Sequence, residues 1–129
     1  MEAMVALFNS APIQKTTGMT LRYNEEGQAI FDWPRNAAFD HAGRDTHGGI
    51  FATLLDNAGW FTAVVPYDSM IVTVELSSRL LEPAKQEDLQ AIGRLVRVGR
   101  RLCVADMEVR SSSDRLVAIG TGTFTCVGL

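Results

Sequence analysis

The chain has 129 residues, 47% hydrophobic and 21% charged, with a formal charge of -3. That length supports one domain with a real core and is short for two. The acidic balance argues against nucleic acid as a partner, because phosphate binding needs a basic excess. The two cysteines, Cys103 and Cys126, lie in strand-like runs without CxxC spacing. They read as buried small hydrophobes, and a cytoplasmic, reducing location is expected.

In chain order, residues 1–16 read as an N-terminal arm or short helix. Met4, Leu7 and Phe8 have helical spacing and Pro12 acts as a stop. The stretch carries Glu2 and no basic segment, which does not suit a secretory signal. Met19–Tyr23 and Gln28–Trp33 alternate around the turn Asn24-Glu-Glu-Gly27 and predict a hairpin. A polar loop, Pro34–Thr46, leads to a helix expected from about Gly48 to Val65. Four β-patterned runs follow: Met70–Leu81, Asp88–Val98, Leu102–Arg110 and Leu116–Val127. An α+β domain results, with one long helix and an antiparallel sheet.

The helix is apolar enough to raise the question of a membrane. It contains glycine, asparagine and a central aspartate and lacks basic flanks, so it reads as a buried helix. At 100° per residue, Ile50, Phe51, Leu54, Leu55, Ala58, Phe61 and Val65 share a face suited to the sheet. The other face is expected to present Ala52, Gly59 and Ala63, with Asp56 the one charge between residues 47 and 66. A helix apolar on one side and small on the other needs a second covering layer. In a chain this short, that layer is expected to be a second copy.

The segment His47-Gly-Gly-Ile-Phe-Ala-Thr-Leu-Leu-Asp56 concentrates the chemistry. Gly48 and Gly49 open the helix, where backbone N–H groups lack partners and the dipole is positive. Such a start can hold a developing oxyanion, and missing side chains permit close approach. Burying a carboxylate such as Asp56 is expensive and calls for a reason. Eight residues separate Gly48 from Asp56, roughly 12 Å along a helix. One helix therefore cannot aim both at one carbonyl; two antiparallel helices from paired subunits can.

HGG followed by L-x-D-x-A resembles the hotdog-fold thioesterases of the phenylacetyl-CoA thioesterase type. So do Thr73–Ala84, ending in Glu-Pro-Ala, the run Leu89–Arg100 around Gly99-Arg100, and Leu116-Val-Ala118. The resemblance covers roughly residues 17–127. It implies a single hotdog domain over 1–129, an antiparallel sheet wrapped around the long helix, and a homodimer or homotetramer with shared active sites. It further implies hydrolysis of acyl- or aryl-CoA thioesters without cofactor. Carried over, Gly48 donates the oxyanion N–H, His47 shapes the turn before it, Asp56 of the other subunit supplies the carboxylate, and Thr73 offers a hydroxyl. Many relatives have asparagine six residues before the HGG histidine, where this chain has His41.

Several residues are candidates for substrate contact. They are Gly49, His41, Trp60 one turn beyond Asp56, and the Arg100–Arg101 pair at a hairpin turn, suited to CoA phosphates. Strand alternation places Arg94 and Arg97 on opposite faces. His41 and His47 lack a third ligand of suitable type, so no metal site is expected. Two other functions fit the same fold: an acyl-CoA or small-ligand binder without turnover, and a hydratase or dehydratase using a histidine–carboxylate pair.

Overall fold

A computed structural model describes residues 1–127. Helices α1 (Glu2–Asn9) and α2 (Pro12–Thr17) open the chain, followed by β1 (Thr20–Tyr23) and β2 (Ala29–Trp33). A short 3-10 turn, Ala37–Phe39, precedes the central helix α3 (Gly48–Ala63). Strands β3 (Ile71–Leu80), β4 (Leu89–Val98), β5 (Leu102–Ser111) and β6 (Leu116–Cys126) complete the fold. All six strands form one antiparallel sheet, ordered β1-β2-β4-β5-β6-β3. The sheet curls around α3, as the hotdog reading expects.

Pro12 is the first residue of α2. Proline there starts a helix at no cost in hydrogen bonds, because that N–H has no intrahelical partner anyway. The arm is thus two helices. Phe8 is buried, edge-on to Phe31 at 4.9 Å and to Phe61 at 5.6 Å between ring centroids. The far end of α3 is tied to the first hairpin: the Tyr23 hydroxyl donates to the Phe61 carbonyl at 2.7 Å, and the Ala29 N–H donates to Thr62 Oγ1 at 2.9 Å.

The core forms where α3 meets the sheet. Ile50, Phe51, Leu54, Leu55, Ala58 and Phe61 are buried there as their spacing predicts. Each large side chain contributes about 1.5–3 kcal/mol by leaving water. Two expectations about this helix are corrected. It stops at Ala63, so Val65 lies beyond it and is exposed. Gly59 and Ala63 are already covered within the chain. A Cβ on Gly59 would lie 2.8 Å from Met107 Sδ, so the sheet reaches round to that side.

What remains half-covered is a stripe of Ala52, Thr53, Asp56, Asn57 and Trp60, spaced at i, i+1, i+4, i+5 and i+8. Beside it runs β3, exposed along nearly its whole length. No helix of the described residues is long and apolar enough to cross a membrane. Cys103 and Cys126 are buried thiols, and burial raises the pKa of Cys103.

Candidate active site

His47 fixes the start of α3. Its Nδ1 accepts the Gly49 N–H at 2.8 Å, its carbonyl accepts the Ile50 N–H at 3.0 Å, and its own N–H donates to the Phe39 carbonyl at 2.9 Å. The side chain is a helix cap of the kind usually supplied by serine or aspartate. The cap uses the Gly49 donor, which argues against Gly49 as an oxyanion donor. The Gly48 N–H has no acceptor among the described residues. It is the free donor at the positive end of the helix.

Asp56 lies two turns further along, on the half-covered stripe. The expectation of a buried carboxylate needs correcting for the single chain, where Asp56 is only partly covered. It is also partnered: Thr73 Oγ1–H donates to Asp56 Oδ1 at 2.9 Å. That bond holds one carboxylate oxygen from the neighbouring strand. A β-bulge between Thr73 and Glu75 makes Val74 an extra residue just beyond this contact.

The remaining candidates fall into three places. Trp60 Nε1–H donates to the Ile71 carbonyl at 3.0 Å, which fixes the indole one turn past Asp56. His41 is exposed, and its Nδ1 accepts the Gly43 N–H at 2.8 Å. It lines a groove of about 270 Å³ with Gly48, Phe51 and Leu80. The structure therefore brings His41 and Gly48 to one surface, and Asp56, Thr73 and Trp60 to another.

Arg100 and Arg101 sit at the β4–β5 turn, lining a groove of about 550 Å³ with Arg97, Val104 and Thr123. Here the alternation argument fails. A bulge between Leu95 and Arg97 inserts Val96 and shifts the phase by one. Arg94 then opposes Asp106 and Arg97 opposes Val104, so both arginines face the outer side of the sheet.

Sequence reasoning missed Thr53 and Asn57 on the open stripe, although their helical spacing to Asp56 was a usable signal. It also missed Asp40, whose side chain is 7% exposed and paired with Arg35 beneath the loop before α3. Nothing in the local pattern marks that pair.

Comparison with known proteins decides the family. The sequence pattern of the thioesterase superfamily matches residues 43–118, a span holding Gly48, Asp56 and Thr73. The chain belongs to the thioesterase superfamily. At that general level it is a thioester hydrolase. A relative from Saccharolobus solfataricus with a provisional esterase name is 30% identical over 101 residues, covering 78% of this chain and 72% of the relative. The fold also matches the Escherichia coli PaaI protein from the phenylacetic acid degradation operon. That match has a TM-score of 0.88 at 21% identity and covers 95% of this chain and 89% of PaaI. A Bacillus halodurans protein solved with CoA matches with a TM-score of 0.87 at 24% identity, covering 98% of this chain and 89% of the other.

Proposed function

We propose that the protein hydrolyses acyl- or aryl-CoA thioesters, with each active site built from two copies of the chain. The observation that carries this reading is the carboxylate of Asp56, held through one oxygen by Thr73 on an open stripe of the central helix. A half-covered carboxylate with one oxygen engaged has the other free for a water molecule. The free Gly48 N–H supplies the complementary group, too far along the same helix to serve the same carbonyl. An antiparallel second copy brings one chain's Gly48 to the other's Asp56.

In this mechanism the thioester carbonyl oxygen accepts the Gly48 N–H of one subunit. Asp56 of the other takes a proton from water as the water oxygen bonds to the carbonyl carbon. Negative charge collects on the carbonyl oxygen, where the helix start stabilises it. The tetrahedral intermediate then breaks its carbon–sulfur bond. Free acid and CoA thiol leave, the thiolate taking up the proton. The protein supplies a base, an oriented water and an oxyanion donor, and no step calls for a metal or organic cofactor.

The indole of Trp60 lies where it can wall the acyl pocket, and His41 stands over the groove at Gly48. Arg100 and Arg101, joined by Arg97, offer cations for the CoA nucleotide. A CoA complex in a protein of the same fold supports CoA as the carrier. We place the enzyme in the cytoplasm, where acyl-CoA is found.

A thiol-release screen over aliphatic and aryl CoA thioesters, run beside Asp56→Asn, tests the proposal. Asparagine keeps the shape and can accept the Thr73 hydrogen bond, but it is no base. Turnover is expected to fall on the order of 10²–10⁴-fold while substrate affinity and melting temperature hold. A variant that keeps more than about a third of wild-type kcat makes Asp56 structural. Tight CoA-thioester binding with no thiol released by the wild type makes the protein a binder.

A further inference from the structure

We propose that the buried pair of Arg35 and Asp40 is a positioning device: it sets where the Gly48 N–H stands and serves turnover more than folding. The inference rests on the reading above that this N–H receives the thioester carbonyl, and it names what holds the donor in place.

Gly48 is reached through a long connection. Between β2 and α3 the chain runs from Pro34 to His47, with the 3-10 turn as its regular structure. Long connections in compact domains are commonly functional. The second half of this one folds back on itself. The His47 N–H donates to the Phe39 carbonyl at 2.9 Å and the His41 N–H to the Asp45 carbonyl at 2.9 Å. Between them Asp40 and Thr46 face each other in an antiparallel bridge. Residues 39–41 thus form one limb of a narrow loop, and residues 45–47 form the other, which runs straight into Gly48. A shift of the first limb moves the second.

The first limb is tied down at Asp40. Its carboxylate pairs with the Arg35 guanidinium, the side chains being 7% and 24% exposed. Arg35 is tied in turn to the sheet: its N–H donates at 2.8 Å to Asp88 Oδ1, beside the first residue of β4. A line of contacts therefore runs from β4 through Arg35 and Asp40 to the bridge at Thr46, and from there to the helix start. The second limb has a longer tie of its own, the Thr46 N–H reaching the Ala84 carbonyl at 3.3 Å.

Stability alone does not account for this pair. Of the ion pairs among the described residues, it holds the most deeply buried carboxylate. Around it Arg35 Nε, Asp40 Oδ1 and Thr46 Oγ1 are buried with no hydrogen-bond partner among the described residues. A pair built for strength meets in two parallel bonds and leaves fewer such atoms. Methionine and leucine in the same space would bring no unmatched polar group, and replacements of that kind often stabilise. What the charges add is direction: they are satisfied in one arrangement of the limb, where apolar side chains accept several. Direction matters at this place, because a misplacement of about 1 Å at a reacting group costs on the order of 10² in rate.

Apolar replacement of both partners in the full chain separates the two roles. Arg35→Met and Asp40→Leu each leave a charge without its partner and should lower both melting temperature and kcat. The double variant R35M/D40L should regain the wild-type melting temperature. Its kcat on the best CoA thioester should stay at least about tenfold down, with KM within about twofold. A double variant with wild-type kcat makes the pair structural and overturns the proposal, as does a raised KM at unchanged kcat. Should the double variant not fold, Arg35→Lys and Asp40→Asn decide. The contact is made through one nitrogen, so lysine's point charge should hold kcat within about threefold, while Asp40→Asn should lose about tenfold. Equal kcat in the two overturns the proposal. Hydrogen exchange at the Gly49 and Ile50 amides reads the helix start without substrate, and in Asp40→Asn it should quicken at least about tenfold. Quickened exchange in a protein that cleaves no thioester defeats the proposed function and leaves the helix start positioned by the pair. Thioester turnover with unchanged kcat and unchanged exchange in Asp40→Asn does the reverse.

Discussion

The two edges of the sheet are built differently. β1 is four residues long and lies under α1, whose Phe8 reaches past it into the core. β3 is ten residues long, bare and fringed with exposed valines and leucines. Natural sheets protect their edges by shortening or covering them. This chain does both at β1 and neither at β3. One edge is finished inside the chain; the other keeps the carboxylate, its threonine and the open helix stripe. Stability is thus concentrated at the closed edge, and the proposed chemistry at the open one.

Substitutions at the two edges should separate these roles. Phe8→Ala removes a buried ring from between Phe31 and Phe61 and should cost about 3–5 kcal/mol of folding stability. Denaturant titration reads that loss, while kcat per folded molecule stays at the wild-type value. A fall in kcat with unchanged stability would erase the distinction between the edges. At the open side, Gly48→Val should do the opposite. The added Cβ meets only the tip of exposed Leu80, which can swing aside, so folding survives. Blocking approach to the free N–H should raise the barrier by about 3 kcal/mol, seen as a loss in kcat of the order of 10². Unchanged turnover would move the oxyanion donor elsewhere.

A smaller effect tests a region belonging to neither edge. Glu87 accepts from Ser112 Oγ at 3.3 Å and the Ser113 N–H at 3.0 Å, and pairs with Arg115 at 2.8 Å across the β5–β6 turn. The Ser113 hydrogen bonds, followed by the Arg115 charge, hold its pKa below the usual 4.5. A depressed folded-state pKa adds stability above the unfolded-state value and loses it as pH falls through the folded one. Glu87→Gln should melt slightly lower than wild type at neutral pH, with the gap closing below about pH 4.5. A gap that persists into strong acid would mean the contact is not ionic.

Much of this division is legible in the sequence. The helix start at HGG, its apolar face, the lone Asp56 and the matching position of Thr73 follow from spacing and resemblance, and the fold places Thr73 on Asp56. The errors have specific causes. Gly59 reads as outward-facing on a helical wheel, yet it is covered because Met107 and Phe124 reach it from the sheet. A wheel carries no information about how far neighbouring strands curl. Arg97 reads as facing away from Arg94 because strict alternation assumes an unbroken strand. Val96 breaks it, and a bulge at an ordinary valine leaves no mark in the pattern. Val74 does the same in β3.

Tyr67, just past the end of α3, donates its hydroxyl to the Gly99 carbonyl at 2.6 Å and also lies 3.2 Å from the Leu102 carbonyl. Burial raises the pKa of this phenol, which keeps the donating proton in place. Gly99 and Leu102 bracket Arg100 and Arg101, so the turn carrying those cations is moored to the segment that follows the helix carrying Asp56. Removing one oxygen atom from Tyr67 would cut that mooring and leave the arginine turn untied from the central helix.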